Sequence, residues 1–102
     1  MPDRPTLDHF RLTWLELDGR QVEFTSAELV LTQYWRGDEP AQQDWEVVGR
    51  THDETLHQGP QSIALDAGGR RYRGRVVLSS SQSMGTTLSA FNGVGLGELM
   101  ER

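Results

Sequence analysis

At 102 residues the chain has room for one domain built on one hydrophobic core. It contains no cysteine, which excludes disulfides, thiolate metal sites and cysteine nucleophiles together, and its formal charge of −5 disfavours nucleic-acid binding, whose affinity comes from clustered cations. No apolar run approaches the ~20 residues that span a bilayer, and the N-terminal MPDRPTLDHF has no hydrophobic secretion segment, so a soluble, cytoplasmic protein that does not enter a membrane is expected.

Residues 1–8 carry two prolines and two acids without periodicity and predict an irregular lead-in. Phe10, Leu12 and Trp14 then alternate with Arg11, Thr13 and Leu15, which predicts a first strand ending near Leu17, where Asp18-Gly19 reverses the chain. In the second strand Val22 and Phe24 share one parity, and Ala27, Leu29 and Leu31 the other. A strand cannot change its inward face without an extra residue, so a bulge is expected near Thr25-Ser26. Residues 33–43, QYWRGDEPAQQ, collect Gly, Pro, Asp and Glu and read as a long exposed connection, with Tyr34 and Trp35 at its entrance. Trp45, Val47 and Gly49 mark a third strand. Residues 53–61 read as a second polar loop, closed by Gly59-Pro60, before a short fourth strand over residues 62–65.

The stretch that organises the chain is LDAGGRRYRGRVVL, residues 65–78. Gly68-Gly69 supplies a tight reversal. Beyond it Tyr72, Gly74, Val76 and Leu78 share the inward parity, while Arg71, Arg73 and Arg75 face water. LDGR at residues 17–20 is a fainter version of the same turn. Residues 79–85 are small and polar and read as a flexible turn, and residues 87–94 return as a sixth strand whose end is punctuated by Gly93, Gly95 and Gly97. Ala27-Glu28-Leu29 favours helix over residues 25–34, but Val30, Thr32 and Tyr34 favour strand there. Six antiparallel strands with Gly-rich hairpin turns predict an all-β fold, either a small barrel or a compact sandwich, with Gly49, Gly74 and Gly93 as its bends.

No catalytic or cofactor signature accompanies this pattern. His52, Asp53 and Glu54 with His57, and more distantly His9, give the only metal-like spacing, which competes with the reading of an ordinary polar loop. The serines at 79–81 and 83 lack a GxSxG setting, and GVGLG at residues 93–97 lacks the Lys-Ser/Thr ending of a phosphate loop. Arg70, Arg71, Arg73 and Arg75 form the densest basic run, but Tyr72 has inward parity, and Glu16, Glu23, Glu28 and Glu46 could pair with the arginines across strands. Tyr34, Trp35 and Trp45 are the candidates for a ligand or partner surface, Trp35 for its polar surroundings and Trp14 and Trp45 with core packing as the competing role.

The ending GRVVLSSSQSMGTTLSAFNGVGLGEL, residues 74–99, resembles the final hairpin of phage-type tail tube proteins, in which a Gly-led strand, a small polar turn and an F-x-G-x-G-like segment complete a β-sandwich. Here that segment is Phe91-Asn92-Gly93-Val94-Gly95. The resemblance implies a structural component and assigns no site residue. The residues themselves lead to a non-catalytic module that binds a protein partner or a second copy of itself through sheet edges and residues 34–45. Two rivals make sharper demands. A barrel for a small apolar ligand needs an enclosed pocket bordered by tryptophan, and a metal-dependent enzyme needs His52, Asp53 and His57 to converge.

Overall fold

A two-residue reversal between antiparallel strands is easiest when two successive residues adopt left-handed backbone angles. The computed structural model, which describes residues 4–82 and 85–101, has this twice, at Asp18-Gly19 (φ 49° and 78°) and at Gly68-Gly69 (φ 59° and 76°). The seven strands are β1 (Thr6–Leu17), β2 (Arg20–Gln21), β3 (Ser26–Arg36), β4 (Glu39–Thr51), β5 (Gly59–Ala67), β6 (Arg70–Gln82) and β7 (Ser89–Glu101). No helix occurs among the described residues, and therefore none long and apolar enough to cross a membrane.

All pairings are antiparallel. Six strands follow one another in the ring β1-β3-β4-β7-β6-β5, β5 pairs back onto β1, and β2 lies on the end of β1. The sheet is therefore a closed barrel. It consists of two three-stranded meanders, β1-β3-β4 and β5-β6-β7, held together along the β1–β5 and β4–β7 seams. The two similar turns end the first strand of each meander, and they come close to each other's meander at Asp18. Its amide donates to Ser62 O at 2.9 Å, while its carboxylate accepts from Ser62 N at 2.8 Å.

Inward residues of both meanders fill the interior. Leu15, Leu29, Leu65, Val22, Val47 and Val76 are fully buried, with Leu12, Ile63, Leu78 and Phe91 around them. A barrel this narrow has an interior just wide enough for its own side chains. Glycines make room for the rings. A Cβ on Gly49 would stand 2.7 Å from Phe91 Cζ, one on Gly74 2.8 Å from Trp45 Cζ2, and one on Gly95 2.5 Å from Trp45 Nε1. Gly93, expected as a bend, faces Val76 at an easier 3.3 Å.

Several expected boundaries differ. The lead-in over residues 1–8 is shorter, because β1 begins at Thr6 and pairs with Gln33; residues 1–3 lie outside the described part. Within β1 a bulge between Leu12 and Trp14 shifts the register, so Leu12, Leu15 and Leu17 are buried and Trp14 points outward, under the Arg71 guanidinium at 4.6 Å. The phase change near Thr25-Ser26 occurs as a break in the strand: β2 ends at Gln21, Val22 is buried, and β3 starts at Ser26. Thr25 N and Oγ1 both donate to Arg50 O and anchor that break to β4.

The long connection over residues 33–43 is instead a hairpin, whose reversal occupies only Gly37 and Asp38. A bulge between Tyr34 and Trp35 accommodates Pro40, and the Gln33 side-chain amide bridges Tyr34 O and Gln42 O. The loop over residues 53–61 ends earlier, since Gly59, Pro60 and Gln61 already pair with β6. Ser79, Ser80, Ser81 and Gln82 are strand residues paired with β7, and the expected turn positions Ser83 and Met84 lie outside the described residues. Gly93, Gly95 and Gly97 sit inside β7, which continues to Glu101.

Candidate interaction surface

The β3–β4 hairpin is longer than the barrel that carries it. Among the described residues β3 pairs with β1 only as far as Gln33 and β4 pairs with β7 only over residues 46–51, so the hairpin continues as a two-stranded ribbon in which residues 34–36 have no ladder with β1 and residues 39–45 none with β7. Over residues 39–45, β4 is paired with β3 alone among the described residues. On the far side of the gap the last third of β7 is paired with β6 alone. Between these diverging strands lies an open cleft of about 430 Å³, lined by residues 42–45, Gly95, Gly97, Glu98 and Leu99.

Trp45 forms the base of that cleft. It is 5% exposed, and its indole Nε1 donates to Gly97 O at 2.9 Å, which ties β4 to β7 just where their ladder ends. Trp45 is therefore a core residue, and the proposed surface keeps Tyr34 and Trp35. Trp35 is half-buried and donates from Nε1 to Thr6 Oγ1 at 2.6 Å, which lays it along the start of β1. Tyr34 is 40% exposed. It shares the outer face with its cross-strand partner Gln42, and Leu7, paired with Thr32, is exposed on the same face. Asp38, Glu39 and Asp44 make the ribbon acidic, offset only by Arg36.

The opposite chemistry occupies the outer face of β6 and β7. Arg71 is bound in two places by Asp66, and Arg70 by Glu101. The glutamate ladder expected for the remaining arginines does not form: Glu28 bonds His9 and Glu46 bonds Asn92. Arg73 stands between Ala64 and Met100, and Arg75 between Ser62 and Leu96, and neither has an ion pair among the described residues. Val77 and Val94 are direct cross-strand partners, and with Leu96 and Met100 they leave four apolar side chains exposed beside those charges.

The metal-like cluster does not assemble. His52 Nδ1 lies 3.0 Å from Thr87 Oγ1, the His57 carbonyl accepts from the Gln61 side chain, and no three His, Asp or Glu side chains group for a metal among the described residues. Asp53 serves the loop itself. It accepts from Thr55 N at 2.8 Å and Thr55 Oγ1 at 2.6 Å, and from Arg20 at 3.3 Å. Among the described residues the core side chains and Trp45 pack together in the interior. A cleft of about 820 Å³ where β1 departs from β3 opens to solvent and is lined by Arg11, Phe24, Glu28, Arg50 and Phe91, with no tryptophan.

Among the described residues Asp53 and Asp66 titrate below the ordinary carboxylate range. The Thr55 hydroxyl and amide, with Arg20, hold Asp53 down against the opposing effect of burial, and the Arg71 fork does the same for Asp66. A carboxyl whose folded pKa is depressed contributes stability that is present above its unfolded value, near 3.8, and lost as pH falls through the folded value. Urea midpoints should therefore hold steady from neutrality to about pH 5 and fall below about pH 4, and the drop should shrink in Asp53→Asn and Asp66→Asn. An unchanged acid slope in both variants would show that neither bond matters to stability.

Comparison with known protein families, curated proteins and solved structures finds no match.

Proposed function

We propose that this chain is a non-catalytic β-barrel module of the cytoplasm that acts by binding or assembly, with the β3–β4 ribbon as its contact element. One observation carries the reading: in an otherwise closed ring, residues 39–45 of β4 keep a backbone edge that is paired on one side only among the described residues, next to the exposed Tyr34 ring. An unpaired strand edge offers a row of donors and acceptors to another chain, and an exposed aromatic adds contact area at small entropic cost. Pro40 and the acids around it belong to the same logic. Proline and charge on an edge suppress indiscriminate pairing and leave a surface that selects its partner by charge and shape. A structural subunit, the role implied by the resemblance of residues 74–99 to tail tube proteins, is one form such a module takes.

A photo-crosslinking residue at Gln42, on the ribbon, should give a discrete adduct in cells that make the protein, and one at Gln21, on β2, should not. An adduct of two copies or with one other protein supports the reading. Absence of any adduct from Gln42, or equal labelling from both positions, overturns it.

A further inference from the structure

The two surfaces described above match each other. One is acidic and carries an aromatic ring, with Tyr34, Asp38, Glu39 and Asp44 on the ribbon. The other is cationic and apolar, with Arg73 and Arg75 beside Val77, Val94, Leu96 and Met100 on the barrel wall. We propose that the chain associates with itself head to tail, the β3–β4 ribbon of one copy lying on the β6–β7 outer face of the next.

Three observations select a second copy as the occupant. First, the chain is acidic overall, at −5, yet two guanidinium groups on this face are left without an ion pair among the described residues, although the cross-strand positions beside them could have carried acids. Second, apolar residues flank the charges. Val77 and Val94 are paired, Leu96 lies opposite Arg75 and Met100 opposite Arg73, so each charge is bordered by a side chain that gains from being covered. Third, the ribbon's own acids have no arginine to satisfy them: among the described residues Asp38, Glu39 and Asp44 form no ion pair. Tyr34 and Leu7 on its outer face supply the matching apolar contact.

The contact joins two different patches and is heterologous. Each copy that docks presents a free ribbon and a free wall, so the assembly grows until a ring closes or continues as a filament. It does not stop at two by symmetry. Charge pairing at its rim makes association faster and sensitive to salt, while the covered valines, Leu96, Met100 and Tyr34 hold it together. This inference rests on the ribbon being the contact element, but it goes further in naming the partner.

The test uses purified full-length protein in sedimentation velocity over a concentration series, at low and high salt. Wild type should form species larger than a dimer that recede as salt rises. In R73E/R75E the wall turns acidic and repels the acidic ribbon; in D38R/E39R the ribbon turns basic and repels the basic wall. All four positions are exposed, and circular dichroism checks that each variant keeps the wild-type strand spectrum. Each variant alone should associate at least about tenfold more weakly than wild type. Mixed one to one, the two should assemble again, because each then meets a complementary surface on the other. A wild type that remains single-chain at millimolar concentration overturns the proposal, as does a species that stops at a dimer, or a mixture that fails to recover. A single-chain wild type together with a Gln42 adduct to another protein would sink self-association and leave the ribbon's binding role intact; no adduct at all would remove both.

Discussion

Gly95→Ala is expected to lower stability by about 3 kcal/mol, at the upper end of the usual cost of forcing extra atoms into a packed interior. The melting temperature should drop by roughly 15 °C, on the scale of small domains. Backbone strain is not the reason, since Gly95 is not among the glycines with positive φ. The reason is the indole. The new methyl would overlap the shared edge of the Trp45 ring, and that ring is held where it is: its six-membered edge lies against Gly74 at a distance that also has no room for a Cβ, and its Nε1 is fixed by Gly97 O. A double-mutant cycle isolates this cause. Trp45→Leu alone should be costly, because it opens a cavity and strands the Gly97 carbonyl, but in that background Gly95→Ala should cost less by about 1–3 kcal/mol. Equal costs in the two backgrounds would show that the close approach of strand and indole has no energetic weight.

Thr51→Val should cost about 2 kcal/mol, and Thr51→Ser about half as much. Thr51 is a polar residue with no exposed surface, and its hydroxyl does two jobs: it donates to Glu23 O at 2.5 Å and accepts from Asp53 N at 3.0 Å. Valine keeps the shape and removes both bonds, leaving a carbonyl and an amide without partners. Serine keeps both bonds and loses one methyl. Urea denaturation of the two variants ranks them, and a valine variant as stable as the serine one would mean that solvent reaches those backbone groups. The site matters because it holds the 22–25 segment, where the strand is interrupted, against the end of β4.

Much of the barrel could be read in advance where local chemistry decides the outcome. Asp18-Gly19 and Gly68-Gly69 have the residues a tight reversal needs, and the alternation from Tyr72 to Leu78 places Val76 and Leu78 inside and the arginines outside. Trp14 escaped this reading. Its parity matches Leu12 until a bulge that no residue type announces shifts the register, and its outward position is stabilised by Arg71, on a strand far along the chain. Residues 33–43 were misleading for a related reason. Gly, Pro and acids are scarce in paired strands, but Pro40 lies on a stretch of β4 that has no second ladder among the described residues to interrupt, and the acids there stay in water. The candidate site was legible in its aromatics and illegible in its geometry. Trp45 sits in the core because Gly74 and Gly95 vacate space for its ring, and Arg73 and Arg75 form no ion pair among the described residues because Ala64, Ser62, Leu96 and Met100 are opposite.

The two seams that join the meanders also shape how the chain must assemble. Each three-stranded half can zip from its own turns, since its strands follow closely in sequence, whereas Leu15 meets Leu65 and Thr51 meets Ser89 only after the intervening chain has been gathered in. Either half alone would present two raw borders and one greasy side to water. Closure of the ring is thus the late, all-or-none event that conceals both at once, and until it happens the unfinished halves are the form of this protein most prone to join the wrong neighbour.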